Sequence, residues 1–158
     1  MISQENKNEL QHRITGALGQ LLVFNINHVS HLIARFTNRE LAKLGYDLQM
    51  EQMPVLALVY FSGPELPSQQ DIANLLQKNK AGIQRSIRTL ERDGYLRIVD
   101  DANDRRKNLI ALTPAGKMAI ERILASAVEL NKQITDCLTP DENETLMKLL
   151  RKVSSVIE

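Results

Sequence analysis

The 158 residues include a single cysteine, Cys137, so no internal disulfide can form. A reducing cytoplasm is the simplest expected home for such a chain. Tryptophan is absent and aromatic residues make up only 4%. Packing must therefore rest on Leu, Ile, Val and Ala, a mixture that suits helices. No apolar run approaches the ~18 residues needed to cross a bilayer, so no membrane span is expected. The segment Met1 to Gln11 is polar and mixed in charge, and reads as neither a signal peptide nor a basic transit segment. Catalytic signatures are missing as well. There is no Gly-rich phosphate loop, no Gly-x-Ser-x-Gly and no His-Glu-x-x-His. The acidic cluster Asp141-Glu142-Asn143-Glu144 reads as a helix start rather than as paired catalytic acids. The expectation is a non-enzyme without cofactor or metal.

What is present supports one folded domain of ordinary size. Hydrophobic residues reach 43% and charged residues 25%, enough for a packed core and too few charges for a disordered chain. The net charge of +1 is unevenly spread. Residues 68–116 carry nine cations against six anions, whereas each flank sums to −1. A local basic face within a near-neutral protein can contact phosphates, although a solvated helix face would show the same balance.

The apolar spacing predicts six helices and one hairpin. Ile14, Leu18, Leu21, Leu22, Ile26, Val29, Ile33 and Phe36 recur at three and four residues, which predicts one long helix running on towards Leu44 and stopped at Gly45. A second helix is expected from Met50 to Phe61, with Pro54 removing a hydrogen bond or bending it. Ser68 and Asp71 form a capping-box start for a short third helix with Ile72, Ala73, Leu75 and Leu76 inward. Asn79 can cap a fourth, with Ile83, Ile87 and Leu90 inward and Gly94 as its stop. The period then changes to two: Leu96 and Ile98, then Ile110 and Leu112, predict two strands around a polar turn. Thr113-Pro114 and Thr139-Pro140 each begin a further helix, the last burying Leu146, Leu149, Leu150, Val153 and Val156 or Ile157. Two short helices joined by a tight turn and followed by a hairpin make a winged helix-turn-helix. The fold class is thus mainly α with a small β-hairpin wing and a helical dimerisation region. The helix-turn-helix and hairpin are expected to form one lobe over residues 46–115, with helical regions at residues 1–45 and 116–158 outside it.

With its apolar stripe inward, the fourth helix leaves Lys80, Ala81, Gln84, Arg85 and Arg88 on its outer side. Arg matches the paired acceptors of guanine in the major groove, and Gln matches adenine. The small residues Ala81 and Gly82 allow close approach, and the helix N-terminus favours a phosphate. An ordinary solvated surface is the competing reading; the short helix before and the hairpin after favour DNA. The hairpin tip carries Asn103, Asp104, Arg105, Arg106 and Lys107. A projecting Arg can enter a narrow minor groove, with Asp104 close enough to orient it, or the tip is a soluble turn.

Four segments, Asp71-Ile72-Ala73, Leu90 to Leu96, Asp104-Arg105-Arg106 and Leu112-Thr113-Pro114-Ala115-Gly116, resemble the MarR family of bacterial transcription regulators, in a helix order that covers nearly the whole chain. The resemblance implies an obligate homodimer built by the first, fifth and sixth predicted helices. It implies a recognition helix over Lys80 to Leu90 with Ala81, Gln84, Arg85 and Arg88 at base- or phosphate-contacting positions. It also implies a wing arginine at Arg106 partnered by Asp104. Ala81 and Gly82 depart from the Ser and Thr common in the family, which bears on which bases are read. Two recognition helices about one DNA turn apart, ~34 Å, imply a pseudo-palindromic operator in double-stranded DNA. The terminal segments also carry apolar-faced helices that little else in the chain could cover, which independently points to a dimer.

The resemblance further implies a repressor released by a small aromatic or lipophilic effector, bound between the dimer arm and the DNA-binding lobe. In that cleft His28, His31 and Arg35 could anchor an anion, or the histidines could help hold zinc in a metal-sensing regulator; polar residues on a helix face are the simpler account. Cys137 reads as a buried structural thiol rather than a peroxide sensor. The alternative to a DNA-binding regulator is a winged-helix interaction module that has lost DNA binding, which would not need Gln84, Arg85, Arg88 and Arg106 together.

Overall fold

The computed structural model describes residues 3–100 and 108–157. Helix α1, Gln4–Leu18, starts at Ser3, whose hydroxyl accepts from the Asn6 amide at 3.3 Å. Helix α2 follows at Leu22–Lys43. The single long helix expected here is therefore broken, and its first part starts well before Ile14. At the break Leu21 is extended, and the Asn25 side chain donates to the carbonyls of Gly19 at 2.8 Å and Leu21 at 2.9 Å. The Gly19 carbonyl would otherwise accept within a continuous helix, so the side-chain amide stabilises the break, while the Leu21 carbonyl also accepts from the Asn25 backbone amide at 3.2 Å. Because Leu18, Leu21 and Leu22 keep the apolar spacing across it, periodicity alone cannot reveal the interruption.

After the predicted stop at Gly45, a single 3-10 turn, Met50–Gln52, leads into α3, Met53–Phe61. The helix expected over Met50 to Phe61 is thus divided, and Pro54 falls in the first turn of α3, where its missing N–H leaves no hydrogen bond unmade. The turn is held by α2. The Asn38 side chain accepts from the Met50 amide and donates to Gln49 Oε1, each at 2.7 Å. The buried Gln52 accepts from the Gln49 amide at 2.8 Å, which satisfies its carbonyl oxygen in the interior. Helix α3 has no charged residue and buries Val55, Leu56 and Val59, so it forms the centre of the lobe.

Helix α4, Gln69–Leu75, and helix α5, Lys80–Arg92, follow. Strands β1, Leu96–Asp100, and β2, Asn108–Leu112, pair antiparallel with Leu96 opposite Leu112 and Ile98 opposite Ile110. The outer edge of β2 is also occupied. The Ile110 amide donates to the Pro67 carbonyl at 2.9 Å, and Ser68 bridges to Leu109. This third, single-residue rung ties the hairpin to the start of α4.

Helix α6, Pro114–Thr135, begins at a compact junction. The Thr113 hydroxyl accepts from the Gly116 amide at 3.0 Å and donates to the Gly94 carbonyl at 2.6 Å. A Cβ on Gly116 would run into the Tyr95 carbonyl, so only glycine lets the helix sit this close to the chain leaving α5. Helix α7, Pro140–Ile157, starts with Thr139 and Glu142 capping each other.

The core joins Leu41, Leu48, Leu56, Ile72, Ile83, Leu90, Leu96, Ile110 and Ile120, all essentially inaccessible. Among the described residues, every buried hydrophobic one lies between Leu41 and Ile123. Helices α1 and α7 bury none, so the expected burial of Leu146, Leu149 and Leu150 does not occur within one chain. Leu75 is also exposed, at the last turn of α4. Cys137 is exposed in the turn between α6 and α7, which corrects its reading as a buried thiol.

Candidate nucleic-acid interface

Local chemistry positions α5. Helix α4 starts at a capping box in which the Ser68 hydroxyl accepts from the Asp71 amide at 3.2 Å and Asp71 accepts from the Ser68 amide at 2.9 Å. It ends with the Lys78 amide bonding the Ala73 carbonyl at 3.0 Å and Gln77 in the left-handed region at φ 50. This is the bonding pattern glycine usually supplies at a helix end. It reverses the chain in a few residues, and Asn79 then caps α5 by accepting from the Gly82 amide at 2.7 Å. At the far end Gly94, at φ 80, ends α5 in the same way, with the Tyr95 amide on the Leu90 carbonyl at 2.8 Å.

Between these caps Ile83, Ile87 and Leu90 are buried. This stripe fixes the rotation of α5, and Lys80, Ala81, Gln84, Arg85 and Arg88 are all exposed. Lys80, Arg85 and Arg88 have no carboxylate partner among the described residues. Arg92, one turn on, is different. Its guanidinium grips Asp93 through two bonds, at 2.8 and 3.2 Å, and this pairing raises its pKa further. The outer row of α5 thus offers unpaired cations and one amide at its N-terminal end, where the helix dipole is positive. Asp104, Arg105 and Arg106 lie outside the described residues.

His28, His31 and Arg35 are exposed along α2. None of them lines the cleft of about 550 Å³ that opens between α3, the hairpin and α6. Tyr60, Leu66, Arg97, Ala111, Lys117 and Glu121 line that cleft. The Tyr60 hydroxyl donates to Glu121 at 3.3 Å, and Lys117 lies 3.9 Å from the same carboxylate oxygen. Desolvation, then the charge of Glu121, raises the pKa of Tyr60. Sequence reasoning expected a cleft lined by the first, second and fifth predicted helices but named none of these residues as its lining. Its residues come from distant stretches of chain; Leu112 falls in one of the four family-like segments, and Arg97 registered only as part of the basic middle segment.

Two short helices at a tight turn, an exposed basic row on the second and a hairpin behind it define a DNA-binding protein of the winged helix-turn-helix class. The family model described as the MarR family matches residues 46–107. The HTH-type transcriptional regulator PecS of Dickeya dadantii is 30% identical over 134 residues, which cover 84% of this chain and 80% of PecS. The MepR–DNA complex of Staphylococcus aureus superimposes with a TM-score of 0.75 at 26% identity, covering 85% of this chain and 97% of that one. A mutant MarR of Escherichia coli complexed with operator DNA also gives 0.75, at 25% identity, covering 89% and 96%. The chain belongs to the MarR family of transcriptional regulators.

Proposed function

We propose that the protein is a homodimeric, sequence-specific regulator that places α5 in the major groove of double-stranded DNA and acts as a repressor released by a small molecule. Residues 46–115 form the DNA-binding lobe in this reading, and residues 1–45 and 116–158 form the dimerisation region. The outer row of α5 carries the reading. Gln84 matches adenine, Arg85 and Arg88 match guanine or phosphate, and Ala81 lets the helix end approach closely. Arg106, oriented by Asp104 and flanked by Arg105, supplies the minor-groove contact. MepR and MarR complexes with DNA support DNA as the ligand.

The effector is a small aromatic or lipophilic molecule. The cleft between α3, the hairpin and α6 is the best-supported place for it, in preference to the face bearing His28, His31 and Arg35. Its volume of about 550 Å³ suits such a ligand. Leu66 and Ala111 offer apolar surface, and Arg97 and Lys117 offer positive charge. A ligand there would touch the strand that carries the wing and the helix that leads to the dimer region.

Selection of bound sequences from random duplex DNA at two salt concentrations tests the proposal. The expected outcome is a pseudo-palindrome with half-sites ~10 bp apart and affinity that falls steeply with salt. No enrichment and no binding at either salt concentration would instead indicate a winged-helix interaction module without DNA binding.

A further inference from the structure

Helices α2 and α5 end alike. Each is stopped by a left-handed glycine, Gly45 at φ 85 and Gly94 at φ 80, and each glycine is followed by a tyrosine. The Tyr46 amide donates to the Leu41 carbonyl at 3.0 Å, and the Tyr95 amide donates to the Leu90 carbonyl at 2.8 Å. Leu41 and Leu90 are both wholly buried, so the two helix ends are anchored in the core. The two tyrosine rings meet edge to face, with 6.5 Å between centroids and 66° between planes. Burial raises the pKa of Tyr95, the charge of Asp93 adds to this, and a hydrogen bond with the Asp47 backbone acts against it. Asp47 also reaches the last residue of α5: Asp93 holds Arg92 as a cation by its hydrogen bonds and charge, and the charge of Asp47 adds to that. Tyr95 meets a third element through its carbonyl, which accepts from the Thr113 amide at 3.0 Å at the start of α6. One residue therefore touches the ends of α2, α5 and α6.

We propose that Tyr95 is a positioning residue for DNA reading, whose ring against Tyr46 sets the angle of α5 to α2 and α6 and, with it, the separation of the two α5 helices in a dimer. This rests on the homodimeric, DNA-binding reading above and goes beyond it by naming what fixes the spacing. The buried stripe of Ile83, Ile87 and Leu90 fixes how α5 is turned about its own axis. Apolar burial of this kind is non-directional and leaves freedom of tilt. An edge-to-face ring pair has a preferred geometry and restricts that freedom. The pair also lies at the end of α5 remote from Lys80, Ala81, Gln84 and Arg85, so α5 acts as a lever. Its 13 residues make a helix of about 20 Å, and a tilt of about 10° at the Tyr95 end moves the N-terminal turn by about 3 Å. One base-pair step is about 3.4 Å, so a tilt of that size shifts the reading residues by about one base pair. Helix α2 extends back from the lobe to Leu22 and α6 runs on to Thr135. Tyr95 thus joins the reading helix to both of the long helices that leave the lobe.

The test measures binding of the full-length protein to its selected operator, to the same operator with the half-sites one base pair closer or farther apart, and to a single half-site. The wild type is expected to favour the selected spacing by roughly tenfold or more. Tyr95→Leu keeps an apolar side chain on the core and removes the ring contact. It is expected to reduce the spacing preference to about threefold or less, with the single half-site bound about as well as before. Tyr46→Leu, on the other side of the contact, is expected to do the same, and the double variant no more than either, because all three lose one and the same contact. Tyr95→Phe keeps the ring and is expected to keep the preference. Equal loss on every duplex in Tyr95→Leu, or a spacing preference unchanged from the wild type, makes the residue a structural one and overturns the inference while the regulator reading stands. If Tyr95→Leu lowers the urea midpoint too far for binding to be measured, Tyr46→Leu decides by the same outcomes. A wild type that binds all three spacings equally overturns the inference as well. A wild type that binds no palindrome removes the regulator reading and this inference with it.

Discussion

Gly116 shows how much one missing methyl group can decide. The first turn of α6 meets the chain leaving α5 so closely that a Cβ would occupy the place of the Tyr95 carbonyl. That carbonyl is backbone, anchored by the Thr113 amide at 3.0 Å, and cannot swing aside. Gly116→Ala is therefore expected to lower unfolding free energy by about 1–3 kcal/mol, read as an earlier midpoint in urea. The arginines of α5 divide by the same local logic. Arg92 is held by Asp93, whereas Arg85 has no such partner among the described residues and is free to meet a base. Arg85→Ala should weaken operator binding by about 1–3 kcal/mol and relax base preference at one position of each half-site. Equal loss on all sequences would instead make Arg85 a phosphate contact.

At the scale of elements, several helix starts are stabilised by side-chain caps, and the reciprocal one on α7 makes its stability depend on pH. The Thr139 amide and hydroxyl both donate to the Glu142 carboxylate, at 2.8 and 2.9 Å. These bonds hold the carboxyl below its ordinary value of 4.5. A depressed folded pKa means a contribution present in full above the unfolded value. That contribution is lost as pH falls below about 4.5 and through the folded value. Helicity of α7 should thus decline on acidification in this window, and Glu142→Gln should remove that part of the pH dependence. Circular dichroism from pH 6 to pH 3 on both forms checks this; identical profiles would show that the cap does not matter to α7. The same kind of cap at Ser68 and Asp71 starts α4, and Asn79 starts α5. The reading helix is therefore framed by bonds internal to its own neighbourhood.

At the scale of the whole molecule, one chain is a packed lobe with two unpacked arms. All the large exposed hydrophobics except Met50, Phe61, Leu75 and Ile98 lie in the terminal segments or the second half of the molecule from Met118 onward. Covering them by association links folding to concentration. The melting midpoint is expected to rise with protein concentration. Calorimetry over a hundredfold dilution measures this directly. A midpoint independent of concentration would mean that the arms stay uncovered.

The amino-acid sequence by itself determined those features that a few neighbouring residues can specify. The Ser68, Asn79, Thr113 and Thr139 starts, the stops at Gly45 and Gly94, the alternation of the strands around Leu96 and Ile110, and the rotation of α5 all follow from spacing within one or two turns. Each is set by bonds across three to five residues or by one apolar stripe, so the chain states it locally. Only the tertiary structure decided the rest. The break before α2 was hidden by apolar spacing that continues through it. The rung from Pro67 to Ile110 and the cleft joining Tyr60, Arg97 and Glu121 unite residues far apart in the chain. Whether Leu75, Leu149 or Cys137 is buried depends on what stands opposite, and periodicity names an apolar face without saying what covers it.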